Sequence, residues 1–209
     1  MLPLERKLPI WKRAMDFALI VVTAPITIPV SLLICLYIKL VSSGPVLFKQ
    51  ERIGLGCKPF TCYKFRSMNV NTSTAPHQSH LKDVIINGVP MKKIDKKDPR
   101  LIPGAKLFRA SGLDELPQLI NVLKGEMSIV GPRPCLRYEF QFYKNTDRHR
   151  FEVLPGLTGL WQVSGKNDTT FREMVLLDVL YAKKHNFLMD LSIVISTIPS
   201  MLYQLFKKS

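Results

Sequence analysis

Two adjacent carboxylates, Asp114 and Glu115, are the side chains of this 209-residue chain best suited to covalent or metal-assisted chemistry. Leu113, Leu116, Leu119, Ile120 and Leu123 recur around them at helical spacing, and Gly125 stands where such a helix would stop. Pro117 fits only the first turn, so the spacing predicts a helix beginning near Leu113 or Asp114. The two carboxylates would then sit at the positive end of the helix dipole, which keeps at least one of them ionised. An ionised oxygen is what a nucleophile or a magnesium ligand requires. Acidic residues also cap helices for purely structural reasons, so the pair alone does not separate chemistry from capping.

Cations set the pair apart. Lys64, Arg66, Arg109 and Arg133 lie in short segments with glycine or proline, and Gly131-Pro132-Arg133-Pro134 fixes the backbone around an arginine. A guanidinium fork suits a pair of phosphate oxygens. With 30 Lys+Arg against 16 Asp+Glu the net charge is +14, which implies an anionic partner: a phosphate-bearing substrate, acidic lipid headgroups or nucleic acid. No helix-turn-helix, zinc finger or aromatic-rich binding sheet stands out, so nucleic acid is not expected. P-loop and kinase glycine motifs are also missing, which argues against ordinary ATP chemistry.

These side chains follow an apolar stretch, Phe17 to Ile38, about as long as a membrane-crossing helix. Pro25 and Pro29 lie in its middle, and an interior proline removes a backbone donor and kinks or breaks a helix. Lys7, Lys12 and Arg13 precede it and Lys39 and Lys49 follow, so basic residues give the two ends no difference in orientation. A kinked span and a re-entrant hairpin with both ends on one face both stand on this reading. A cleaved signal is disfavoured, because the run is too long and no small-residue cleavage site follows. Carboxylates, arginines and a membrane attachment together suggest phosphoryl chemistry on a diphosphate with a lipid acceptor.

Other segments must position the site. Pro45 to Met68 reads as a strand hairpin around the turn-rich RIGLGCKP, with Lys64 and Arg66 on one face. Asn69 to Pro90 is polar without a sustained period and is expected as a loop or mobile insert. Helices are expected at Thr169 to His185 and at Leu188 to Phe206, the latter interrupted at Pro199 and suited either to the membrane interface or to a core. Four cysteines show no disulfide-rich pattern. Cys57 and Cys62 with His77 and His80 imitate zinc-finger spacing, but the intervening sequence lacks a finger's apolar core.

The strings YKFRSM (Tyr63 to Met68), LFRASGLDELPQLINVLKGEMSIVGPRP (Leu107 to Pro134) and PGLTGLWQVSGKN (Pro155 to Asn167) closely resemble the bacterial sugar transferases, the monotopic phosphoglycosyl transferases that begin glycoconjugate assembly. The resemblance implies an α/β, mainly helical fold: a re-entrant membrane helix over residues 1–40, and a catalytic domain over 41–209 with a short β-hairpin and interfacial helices. It implies transfer of sugar 1-phosphate from a UDP-sugar to undecaprenyl phosphate, with release of UMP, on the cytoplasmic face of the bacterial inner membrane. Asp114 would attack the β-phosphorus and carry a covalent phosphosugar, with Glu115 beside it and Mg²⁺ at the pair. Lys64, Arg66, Arg109 and Arg133 match basic positions of the family's motifs and would hold phosphates or place the carboxylates. Thr158, Gln162 and Lys166 fall in the region resembling the sugar-nucleotide loop. Membrane lipids are implied partners, and homo-oligomer formation is left open.

Two departures from the family pattern stand out. The family breaks its membrane helix at a Ser-Pro pair, whereas this chain has Ala24-Pro25, with Thr23 and Thr27 near enough to take over the serine's hydrogen bond. The long segment from Asn69 to Lys97 has no assigned role; it either caps the sugar pocket or is mobile. Two other functions compete with the transferase reading. One is transfer of the sugar alone with release of UDP, and the other is a basic membrane scaffold whose carboxylates only cap a helix.

Overall fold

The computed structural model of the protein describes residues 8–70, 72, 75–91, 98–165 and 168–206. Helix α1 runs from Ile10 to Val41 and carries both prolines in its interior. At about 1.5 Å per residue its 32 residues reach about 48 Å, long enough and apolar enough to cross a membrane. Helical pairing from residue i to i−4 means that Pro25 and Pro29 deprive the carbonyls of Val21 and Pro25. The nearby threonines do not compensate: Thr23 Oγ1 donates to the Leu19 carbonyl at 2.7 Å and Thr27 Oγ1 to the Thr23 carbonyl at 3.1 Å.

Both flanks of this helix dock onto the same globular body. At its start Lys12, Met15 and Asp16 are buried, and at its end Ile34 and Ile38 are buried against Phe65, Ile102 and Ala105. Between them Val21, Val22, Ile26 and Ile28 stay exposed. Lys12 is one of the buried ties. Its Nζ donates to the Val130 carbonyl at 2.8 Å and the Tyr181 hydroxyl at 2.9 Å, and it pairs with Asp190. Removing such a charge from water is tolerable only because acceptors surround it.

The expected hairpin forms as β1 (Leu47–Ile53) and β2 (Pro59–Phe65), antiparallel, with Phe48 opposite Lys64 and Gln50 opposite Cys62. Between them a 3-10 turn, Leu55–Cys57, places Cys57 at φ 61°. The insert differs from expectation. Instead of a loop, Ala75–Asn87 is helix α2. Leu81 and Val84 are buried on it and Ile85 packs against the core, a single i, i+3, i+4 set that the surrounding polar residues conceal.

Helix α3 (Ala105–Ser111) and helix α4 (Gln118–Lys124) follow, then strand β3 (Ser128–Val130) and strand β4 (Cys135–Leu136). β4 adds to the free side of β1, giving the order β2-β1-β4, and β3 pairs in parallel with β5 (Gly156–Thr158). Helix α5 (Leu160–Val163), helix α6 (Phe171–Lys184) and helix α7 (Phe187–Phe206) complete the chain. α7 continues through Pro199, where an interruption was expected. It is held on both sides of that proline, by Thr197 Oγ1 with Thr158 Oγ1 at 2.8 Å and by Ser200 Oγ donating to the Gln162 carbonyl at 3.1 Å. The largest core cluster joins Tyr143, Phe151, Trp161, Phe171 and Met174.

Candidate active site

Asp114 and Glu115 lie on a 3-10 turn, Leu113–Glu115, that opens at Gly112 with φ 72°. The α-helix proper begins at Gln118, a turn later than the leucine spacing predicts, with Pro117 at its cap. Asn121 on α4 holds this turn against the hairpin. Its Oδ1 accepts from the Tyr63 backbone N–H at 3.1 Å and its Nδ2 donates to the Thr61 carbonyl at 2.6 Å, so one amide side chain extends the β2 edge. Lys64, on β2, donates from Nζ to Glu115 Oε1 at 2.6 Å. Asp114 is buried, with 7% of its surface exposed.

Three glycines allow the second wall to form. A Cβ on Gly131 would lie 2.4 Å from the Leu154 carbonyl oxygen, one on Gly156 would lie 2.1 Å from the Gly131 nitrogen, and one on Gly159 would lie 2.1 Å from the Gly131 oxygen. Only hydrogen fits at these crossings. The approach is sealed by Gly131 N–H donating to the Thr158 carbonyl and Gly156 N–H to the Pro132 carbonyl, both at 2.9 Å. The Gly-Pro-Arg-Pro segment and the loop after β5 are thereby locked together, which sets Arg133 and Gln162 on one cleft.

That cleft has a volume of about 690 Å³, and Lys64, Arg66, Arg109, Asp114, Glu115, Arg133 and Gln162 all line it. Thr158 does not join them: it is buried and bonded to Thr197, a packing position between β5 and α7. Lys166 lies outside the described residues. Ala24 and Pro25 lie in the middle of α1, in the stretch between its two docked flanks. The family model for bacterial sugar transferases matches residues 7–204.

The chain belongs to the bacterial sugar transferase family. It is 38% identical over 194 residues to the undecaprenyl-phosphate galactose phosphotransferase of Salmonella typhimurium, covering 89% of this chain and 39% of that protein. It is 36% identical over 199 residues to the UDP-glucose:undecaprenyl-phosphate glucose-1-phosphate transferase of Caulobacter vibrioides, covering 91% and 69%. The exopolysaccharide production protein ExoY of Sinorhizobium fredii is 34% identical over 192 residues, covering 91% and 84%. The chain thus spans about two fifths of the Salmonella relative's length and most of ExoY's.

Within this sugar transferase the cations have distinct attachments. Arg133 forms a fork with buried Glu139, its terminal nitrogens 3.0 Å from the carboxylate oxygens. Burial, the largest single effect, would raise the Glu139 carboxyl, but the Arg133 guanidinium, the Arg52 charge and the Leu136 N–H together hold the group below the usual glutamate range. Arg66 donates through both terminal nitrogens to the carbonyls of Ser42 and Ser43, clamping β2 to the end of α1. Asp98, forked by Arg100, is held down to about 2.

Arg52, Gln118 and Tyr138 also line the cleft and were not anticipated. Arg52 is buried on β1, and burial followed by the Arg133 charge lowers its pKa. Its Nε, the Nε of Arg66 and Oε1 of Gln162 are buried without a partner, polar atoms that a polar ligand or water would satisfy. Hairpin register could have found Arg52: residues 48, 50 and 52 oppose 64, 62 and 60, so Arg52 shares the Lys64 face.

Among the described residues no group of three or more His, Cys, Asp or Glu side chains assembles as a metal site. Magnesium does not need one. It is commonly held by one or two carboxylates, with water and substrate phosphates completing its octahedron, and the adjacent Asp114 and Glu115 at the cleft fit that donor set.

Proposed function

We propose that this chain transfers sugar 1-phosphate from a UDP-sugar to undecaprenyl phosphate, releasing UMP, as a first membrane step of bacterial polysaccharide or glycoconjugate assembly. The observation that carries the reading is the meeting of the Asp114-Glu115 turn with Lys64, Arg109 and Arg133 around one cleft in a member of this family. The activities for which the Salmonella and Caulobacter relatives are named supply the donor and acceptor classes.

In this mechanism a carboxylate oxygen of Asp114 attacks the β-phosphorus. The bond between that phosphorus and the bridging oxygen breaks, and UMP leaves with the electron pair. A phosphate oxygen of undecaprenyl phosphate then attacks the same phosphorus, which frees the Asp114 carboxylate and leaves a lipid-linked diphosphate sugar. Splitting one displacement into two predicts ping-pong kinetics. Glu115, oriented by Lys64, and Asp114 would hold a Mg²⁺, which when bound offsets negative charge on the diphosphate. The cations lining the cleft lower the repulsion between an anionic nucleophile and an anionic donor.

A re-entrant α1, with both ends on the cytoplasmic face, is part of the same proposal. Its support is that Lys12 and Asp16 at one end and Ile34 and Ile38 at the other are buried in one globular body, while the stretch between stays exposed and apolar. A straight span of about 48 Å would hold its ends on opposite sides of a hydrocarbon core about 30 Å thick. Nucleotide release from a panel of UDP-sugars with undecaprenyl phosphate and Mg²⁺ tests the activity. UMP release abolished by Asp114→Asn is the expected result; UDP release, or UMP release that survives the substitution, overturns it.

A further inference from the structure

Helix α2 belongs to the segment for which the sequence offers no role, and its placement suggests one. The insert leaves the hairpin through a short antiparallel stem. Asn69 N–H donates to the Arg100 carbonyl at 2.8 Å, Ile102 N–H donates to the Ser67 carbonyl at 3.2 Å, and Met68 bridges Leu101. Its far end is pinned to the start of α6, where Met91 N–H donates to the Thr169 carbonyl at 2.9 Å and Pro90 bridges Thr170. With Leu81 and Val84 buried and Ile85 against the aromatic core, α2 is a fixed wall. Gln78 and His80 on it line the same cleft as Asp114 and Glu115.

The two walls differ in chemistry. The hairpin and the Gly-Pro-Arg-Pro segment bring Lys64, Arg52, Arg66 and Arg133, suited to phosphates, whereas α2 brings the amide of Gln78 and the imidazole of His80 beside the apolar side chains of Leu81 and Val84. Asp98 and Arg100, which also line the cleft, are forked to one another. Sugar hydroxyls are donors and acceptors at once, and amide and imidazole side chains carry hydrogen-bonding groups that match them. Nucleobases favour flat aromatic or guanidinium faces, and Arg137 and Tyr138 lie on the cleft as well. We propose that α2 is the sugar-reading wall of the donor site, with Gln78 and His80 as residues that determine which neutral sugar is accepted. This rests on the transferase reading above.

The test uses the full chain with Gln78→Ala, His80→Ala, His80→Gln and the double alanine variant. Kd is measured for UDP and for UDP-glucose, UDP-galactose and UDP-N-acetylglucosamine, beside kcat/KM from UMP release. Neither side chain is buried, so an unchanged thermal midpoint is the expected control. The expected result is a change of about tenfold or more in the kcat/KM ratio between preferred and second donor, with UDP affinity within about twofold and partial rescue by His80→Gln. UDP affinity falling in parallel with donor affinity would move α2 to the nucleotide, and unchanged ratios would leave it structural; either overturns the proposal. Should the native chain release no UMP from any donor, the transferase reading fails separately. The Kd ratio of UDP-sugar to UDP then decides: a loss of about tenfold in the variants supports α2, and no loss overturns it.

Discussion

Lys64 Nζ lies 2.6 Å from Glu115 Oε1, so a strand residue grips the side chain next to Asp114 across 51 positions of sequence. Both partners are partly exposed, and pairs of that kind add little to stability. Their consequence is orientation. On the proposed Mg²⁺ role of Glu115, Lys64→Met is expected to leave the thermal midpoint almost unchanged while lowering kcat/KM by about 10–100-fold, as removal of a group that orients a metal ligand commonly does. Activity and melting measured on one preparation check this; a midpoint that falls with activity would assign Lys64 to folding.

On the proposed two-step transfer, Asp114→Asn is expected to lower UMP release by at least about 10³-fold, because an amide would not form the covalent bond that the proposal assigns to Asp114. Glu115→Gln should lower it less and raise the Mg²⁺ concentration needed for half-maximal rate. Intact-protein mass spectrometry of the native chain with donor but no acceptor should show one added phosphosugar, missing in Asp114→Asn.

Gly131→Ala and Gly156→Ala each force a methyl into backbone atoms closer than 2.5 Å. Backbone cannot yield as a side chain can. A loss of about 3 kcal/mol is expected, equivalent to a drop of roughly 6–12 °C in Tm for a chain of this size, with thermal unfolding in detergent as the readout. Gly125→Ala meets no atom within 4 Å, so its cost should come only from the positive φ of 79°.

Acid should destabilise the fold through Glu139. Its folded pKa lies below the 4.5 of an unperturbed glutamate, so its contribution is fully present above about pH 4.5 and is lost as pH falls through the folded value. Asp178 acts oppositely, since burial raises its carboxyl above 3.8 despite Arg150, and protonation in that range relieves a cost. Arg133→Met and Glu139→Gln together should flatten the decline in stability below pH 4.5 relative to the native chain, as followed by urea midpoints at several pH values.

Two cysteines introduced at the ends of α1, Ile10→Cys and Ser43→Cys, should react with a membrane-impermeant maleimide from the same side in oriented vesicles. The four native cysteines are replaced first. Labelling from opposite sides would make α1 a span. Pro25→Ala with Pro29→Ala restores the missing donors to the Val21 and Pro25 carbonyls and is expected to shift some molecules toward the spanning arrangement.

Local physics explains how much the sequence determined. The apolar run of α1, the hairpin and the leucine pattern around Asp114 are patterns of neighbouring residues, and period and turn chemistry expose them directly. Helix α2 escaped because its three inward residues, Leu81, Val84 and Ile85, are few among polar ones and lose water only in the folded chain, Ile85 against the cluster that holds Trp161 and Phe171. Pro199 signalled a break that long-range ties through Thr197 and Ser200 override. The charged residues were legible as a set, yet their attachments were not. Whether Arg66 holds a phosphate or two carbonyls, whether Thr158 faces a cleft or a helix, and whether Arg52 joins Lys64 depend on contacts between residues remote in the chain. Composition and spacing determined which chemical groups this protein has, and tertiary packing decided which of them share one cleft, because burial and partner geometry are properties of the folded chain alone.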